Sequence, residues 1–191
     1  LNEISKITKK YDYNFLVKFQ FRDLETFIHP DYKGNHEFKF VKRFEETYFT
    51  DDQWHETINY AKSLGFGLMC TPFDENSVPR VTSMGFDVLK IASCSFTDWP
   101  LLEEIAKYDL PIIASTAGCS IEVVDNVVLF FRNRRKNLKI MHCVGLYPTP
   151  FEQLNISRIG FFVNRYPDIQ IGYSTHEDPK EKLPIAIAIG Q

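Results

Sequence analysis

Phe86-Asp87-Val88-Leu89-Lys90-Ile91-Ala92-Ser93 is the stretch on which the fold turns. It is strand-sized, apolar apart from Asp87 and Lys90, and ends on a hydroxyl. A run of that kind suits a parallel strand covered on both faces, where polar alternation has no use. Working outward, the same pattern returns at Phe15–Phe19, Phe66–Cys70, Pro111–Ala114, Leu138–His142 and Ile169–Tyr173. Helix patterns separate these runs. Thr50 or Asp51 can cap a segment through Leu64 that Gly65 stops, and Asp98 can cap Trp99–Lys107. Ser120–Arg134 sets Ile121, Val124, Val127 and Val128 on one face, and Phe151–Arg165 supplies a further helix pattern. Six strand–helix units in succession predict a parallel α/β architecture.

An open doubly wound sheet and a closed barrel both satisfy that alternation. The chain has no GxGxxG or Walker loop, and every strand run ends in polar or ionisable residues. A barrel brings all its strand ends to one mouth, so the expectation is a (β/α)8 TIM barrel. Six runs correspond to its strands 2–7. The opening LNEISKITKK has a helix pattern with no strand before it, and LPIAIAIG (183–190) has one with no strand after it. Residues 1–191 are therefore read as one barrel domain, cut at both ends, with strands 1 and 8 outside it.

Bulk properties narrow the function. The 191 residues are 44% hydrophobic and carry a net charge of −3, which suits a globular domain and gives no footprint for nucleic acid. The longest apolar runs fall short of the roughly 20 residues that cross a bilayer. Cys70, Cys94, Cys119 and Cys143 are scattered without a CxxC pair, so they read as reduced thiols, and the expected location is cytoplasmic.

The strand ends carry the chemistry. Lys18 and Gln20 lie two apart and project to one side of their strand. A lysine inside Leu-Val-Lys-Phe-Gln-Phe is costly to bury unless an anion meets it, and Lys90 repeats the situation. Either one alone could pair with a neighbouring carboxylate; two on strands that share a mouth favour a shared anionic ligand. Thr71, Ser93, Ser115, Thr116, Ser174 and Thr175 follow at strand ends. Singly, each could serve a turn or a cap; with the lysines they form a set of donors for phosphate and carboxylate oxygens. His142 ends one strand and reads as structural, whereas His176, in a polar loop after the last strand, suits metal ligation or proton transfer. The segment from Arg22 to Phe49, dense in aromatics, is too long for a routine connection and is expected to form a lid or substrate wall.

Seven motifs in order complete the pattern: Val17-Lys18-Phe19-Gln20, Thr71-Pro72-Phe73-Asp74, Lys90-Ile91-Ala92-Ser93, Ser115-Thr116-Ala117-Gly118, His142-Cys143, Tyr147-Pro148-Thr149-Pro150 and Gly172-Tyr173-Ser174-Thr175-His176. Together they resemble the N-acetylneuraminate (sialic acid) synthase family, including its spore-coat polysaccharide relatives. The resemblance implies condensation of phosphoenolpyruvate with N-acetylmannosamine or a related amino sugar. It implies Lys18, Gln20 and Lys90 as catalytic groups, and Thr71, Ser93, Ser115, Tyr147 and Ser174 as substrate-binding ones. His176 would be one of two histidine ligands to Mn²⁺ or Mg²⁺, the other lying outside these residues. A first-strand glutamate and a C-terminal antifreeze-like domain that helps bind the sugar across a homodimer would also lie outside. Two positions depart from the family: Ser95 stands where many members have an acidic residue, and Gly145 where many have Asn. A Schiff-base aldolase on a similar barrel and a non-catalytic remnant of the synthase are the competing readings.

Overall fold

A computed structural model describes residues 1–180 together with Ile185. The helix expected over 183–190 lies outside those residues except at Ile185, which is helical and buried. The chain packs as two compact units, one ending at Leu89 and the other starting at Lys90.

In the first unit, β1 (Leu16–Phe21) pairs in parallel with β2 (Gly67–Pro72), from Leu16 opposite Gly67 to Phe21 opposite Pro72. β2 pairs in turn with the start of β3 (Val88–Ile91), through Met69 opposite Val88 and Cys70 opposite Leu89. Helix α1 (Asn2–Thr8) precedes these strands. The segment expected as a long loop contains α2 (Leu24–Phe27), a 3-10 turn at Pro30–Tyr32 and α3 (Lys39–Glu46). After it, α4 (Asp51–Ser63) starts at a complete capping box: the Thr50 hydroxyl accepts from Gln53 N–H, and the Gln53 side chain accepts from Thr50 N–H. That pairing satisfies two of the donors every helix start leaves open. The helix stops at Gly65, whose φ of +88° only glycine adopts without strain. Its inner face, Trp54, Ile58 and Ala61, is buried, as are Leu68 and Leu89 of the strands. A further short helix, α5 (Ser77–Ser83), follows the Thr-Pro-Phe-Asp turn.

In the second unit, β4 (Ile112–Ser115) pairs in parallel with β5 (Leu138–Cys143), and β5 with β6 (Gln170–Ser174). Asp98 caps α6 (Trp99–Ile105) through Leu101 N–H, and Ser120 caps α7 (Ile121–Asn133) through Val123 N–H. On α7, Val124, Val127, Val128 and Phe131 lie at helical spacing and are all buried. The helix expected over 151–165 is broken. A 3-10 turn at Phe151–Gln153 is followed by Asn155 at φ +48°, and α8 runs only over Ser157–Arg165. The Leu154 carbonyl explains the break, because it accepts a hydrogen bond from the buried His142 ring instead of from the following turn of helix. Strand order is β1-β2-β3-β4-β5-β6, so all six expected strands are present in a parallel α/β fold.

Candidate active site

In the first unit the polar groups gather where β1 and β2 end. Lys18 and Gln20 share one side of β1, and Gln20 sits opposite Thr71 of β2. Both β1 side chains are exposed, which corrects the expectation that Lys18 is buried. β1 is the end strand of the sheet, so among the described residues no further strand covers that side. Thr71 is 1% exposed, and its hydroxyl has no hydrogen-bond partner among the described residues. A buried hydroxyl in that condition is a candidate contact for a ligand or an ordered water.

Arg22 is a cation that the sequence reading passed over. Its guanidinium lies 4.0 Å from the Phe73 ring centroid and 4.4 Å from that of Phe44, and it donates to Gln20 Oε1 at 3.0 Å. Stacking between two rings fixes the orientation of a planar guanidinium. Burial pushes the Cys70 thiol up to about 12, against the opposing pull of Lys18 and Arg22. The Cys70 thiol is therefore held in its neutral form. Asp74, by contrast, is structural: its carboxylate accepts from Ser77 N–H, from the Ser77 hydroxyl and from Asp23 N–H.

The second unit carries the more enclosed group. Lys90 is 7% exposed, and Nζ donates to Ser115 Oγ at 2.5 Å and to the Ile91 carbonyl at 2.9 Å. Ser93 Oγ accepts from Ala117 N–H at 3.1 Å. The end of β3 is thus tied to the end of β4, with one ammonium and two hydroxyls in one small region. Such a group suits a doubly charged oxyanion, since charge-assisted bonds in a poorly solvated place are the strong ones. Thr116 is occupied by the Met141 carbonyl at 3.2 Å.

At the ends of β5 and β6 the ring of His176 stacks against Tyr147, with centroids 4.2 Å apart, and its Nδ1 lies 4.0 Å from Cys143 Sγ. Tyr147 is 75% exposed and follows the loop that leaves β5; its peptide bond to Pro148 is cis. Ser174 closes β6 opposite Cys143. Glu177, next to His176, went unremarked in the sequence although an acid directly after a strand-end histidine is a readable signal. It is 4% exposed; Oε2 accepts from His176 N–H at 2.8 Å and from the Tyr173 hydroxyl at 3.2 Å, while Oε1 has no donor among the described residues. An imidazole and a buried carboxylate oxygen on adjacent residues are groups that could take part in holding a divalent cation, directly or through its water. Among the described residues no group of three or more His, Cys, Asp or Glu side chains comes together, so His176 would supply only part of a coordination set.

His142 bears out its structural reading. It is buried, stacks on Tyr173 with centroids 5.8 Å apart, and gives its Nε2 proton to the Leu154 carbonyl at 2.8 Å. Burial lowers its pKa, so the folded state holds the ring neutral while the unfolded chain protonates near pH 6.5. The unfolded state then binds more protons below that pH, and the contribution His142 makes to stability is present above about pH 6.5 and lost as pH falls through the lowered folded value. Urea midpoints measured from pH 8 down to pH 5 are expected to decline, and His142→Gln is expected to flatten the decline. An equal slope in the variant would contradict this.

Each remaining expected residue is placed within its own unit: Lys18, Gln20 and Thr71 in the first, and Lys90, Ser93, Ser115, Tyr147, Ser174 and His176 in the second. All four cysteines are free, as expected. No helix among the described residues is long and apolar enough to cross a membrane.

The chain is similar to several known proteins. A solved structure described as spore coat polysaccharide biosynthesis protein E of Chromobacterium violaceum is 48% identical, with a TM-score of 0.93 over 99% of this chain and 56% of its own. An N-acetylneuraminic acid synthetase of Leptospira borgpetersenii, solved with citrate, is 26% identical with a TM-score of 0.80, over 92% of this chain and 59% of its own. The spore coat polysaccharide biosynthesis protein SpsE of Bacillus subtilis is 34% identical over 70% of this chain and 36% of its own. The chain spans half or less of the length of the curated relatives it matches. The NeuB family model matches residues 10–191, and with that extent of agreement the chain belongs to the NeuB family.

Proposed function

We propose that this chain is the barrel portion of a metal-dependent synthase that joins phosphoenolpyruvate to N-acetylmannosamine or a related amino sugar and releases phosphate. The observation that carries the reading is Lys90, a buried ammonium fixed by Ser115 beside the Ser93 hydroxyl. A buried cation among hydroxyls suits a small, highly charged substrate better than a neutral sugar. In the second unit Lys90, Ser93, Ser115 and Ser174 are assigned to phosphoenolpyruvate, and Tyr147 to substrate contact. Lys18, Gln20 and Thr71 are assigned to the same pair of substrates by their place in the motif order, with Gln20 nearest the sugar. The closed (β/α)8 barrel belongs to the same proposal, supported by parallel strands in chain order and by the likeness to synthase structures. So do the cytoplasmic location and the homodimer.

His176 is the residue assigned as a ligand to a divalent cation. When bound, that ion supplies Lewis acidity toward the open-chain sugar aldehyde. The chain's own groups do the rest. Lys90 and the hydroxyls hold the phosphate and carboxylate so that C3 of phosphoenolpyruvate faces the aldehyde carbon. Bond formation between those carbons leaves positive charge at C2, water adds there, and collapse of the adduct expels phosphate to leave an α-keto acid. Gly145 bears on the choice of sugar: it is exposed, and a Cβ placed there would stand 3.7 Å from Ala117 Cβ, in ordinary contact. A side chain at that position is sterically allowed, and its absence leaves room beside Ala117.

The competing reading, a Schiff-base aldolase, needs a lysine that forms an imine. Borohydride reduction in the presence of pyruvate separates the two. The synthase reading predicts no adduct, and a covalent adduct on Lys18 or Lys90 in the peptide map would overturn it.

A further inference from the structure

Among the described residues of the second unit, Glu177 is the one buried carboxyl group whose bonding is half complete. Its Oε2 is committed twice, to the backbone N–H of His176 and to the Tyr173 hydroxyl. Its Oε1 is buried and meets no donor among the described residues. Burying a carboxylate oxygen without a donor or a cation is unfavourable. The residue is nonetheless held firmly in place. Thr149 N–H donates to the His176 carbonyl at 2.9 Å, and Thr149 forms an isolated bridge with Glu177. Tyr173, which donates to Glu177, is itself stacked on His142, and the Glu177 charge adds to burial in pushing the Tyr173 hydroxyl up to about 12. His176 is thus fixed on every side: its N–H by Glu177, its carbonyl by Thr149, and its ring by Tyr147.

We infer that Glu177 is a positioning residue for the divalent cation at His176: Oε2 sets the backbone that carries the imidazole, and Oε1 is kept to accept a hydrogen bond from water on the cation. The inference rests on the assignment of His176 as a metal ligand. Groups that orient a ligand and receive its water commonly govern metal affinity as strongly as a weak ligand does. An alternative use of Glu177, as a cap for the turn after β6, would need only Oε2. The two uses separate in Glu177→Gln. The amide oxygen still accepts from His176 N–H and Tyr173, but the charge and the spare acceptor are gone.

The test is Mn²⁺ binding to the intact protein, read from the electron paramagnetic resonance signal of free Mn²⁺, for wild type, Glu177→Gln, Tyr173→Phe and His176→Ala. Glu177→Gln is expected to raise the Kd by about 10- to 100-fold. Tyr173→Phe, which spares Oε1 and the charge, is expected to stay within about threefold of wild type on the same reasoning. A Glu177→Gln Kd equal to that of wild type, with His176→Ala binding lost, would overturn the inference alone. Wild-type binding that His176→Ala leaves unchanged, or no wild-type binding, would overturn the His176 assignment and the inference with it. Should Glu177→Gln fail to fold by circular dichroism, Glu177→Asp takes its place. That variant keeps the charge but withdraws Oε1 by one methylene, and unchanged affinity in it would likewise overturn the inference.

Discussion

Lys90→Ala is expected to lower turnover by about 10²- to 10³-fold or more, the scale seen when one preorganised charge-stabilising donor is removed from an active site. The physical case starts from burial. The Lys90 ammonium is 7% exposed and bonded to Ser115 Oγ and the Ile91 carbonyl. Its position is fixed before substrate arrives, and little solvent competes for it. A substrate phosphate or carboxylate that loses this partner is left with hydroxyls alone. Lys90→Arg is not expected to rescue, because the wider planar guanidinium cannot take the place of a compact ammonium between those two oxygens. Steady-state kinetics on the whole protein, with phosphoenolpyruvate varied, provides the check. A Lys90→Ala enzyme within tenfold of wild type would remove the keystone of the anion site.

Phe131→Ala is expected to cost about 3–5 kcal/mol of stability, the range for truncating a fully buried aromatic ring. Phe131 lies on the inner face of α7, is 0% exposed, and meets Phe130 edge-on with ring centroids 5.0 Å apart. Its ring fills space next to Val124, Val127 and Val128 of the same stripe, where a close-packed interior cannot collapse to fill the gap. Urea unfolding followed by circular dichroism measures the effect. A loss below about 1 kcal/mol would mean that the α7 face is far looser than a packed core allows.

The sequence carried the strands further than the site. Continuous apolar runs mark Leu138–Cys143 and its five counterparts because strands covered on both faces leave no room for polar alternation. Helix starts at Thr50, Asp98 and Ser120 were equally legible, since each side-chain cap acts over only three residues. What failed was tertiary. The break at Leu154 follows from a bond to His142, 12 residues away in sequence, and no local pattern records it. The exposure of Lys18 depends on which strands flank β1, which spacing along one strand does not encode. α2 and α3 are hard to see in sequence because each is short: Phe40, Val41 and Phe44 of α3 do lie at helical spacing, but over little more than one turn and amid many other aromatics.

Among the site residues, Lys90 and Ser115 were found because a lysine in an apolar strand is anomalous by itself. Arg22 escapes a sequence reading because its meaning lies in geometry, a cation stacked on aromatic rings, whereas Glu177 beside His176 is legible there and only its half-completed bonding is not. Thr71 gained weight only when its hydroxyl proved to be buried without a partner.

The central claim is that this chain's lysine-and-hydroxyl site works on phosphoenolpyruvate. The most direct test is phosphate release from phosphoenolpyruvate by the whole protein, assayed with Mn²⁺ across a panel of N-acetylated amino sugars and without any sugar. The account predicts release only when cation and a matching sugar are both present, with one α-keto sugar acid formed for each phosphate. Phosphate release that needs no sugar, or none with any sugar of the panel, would contradict it.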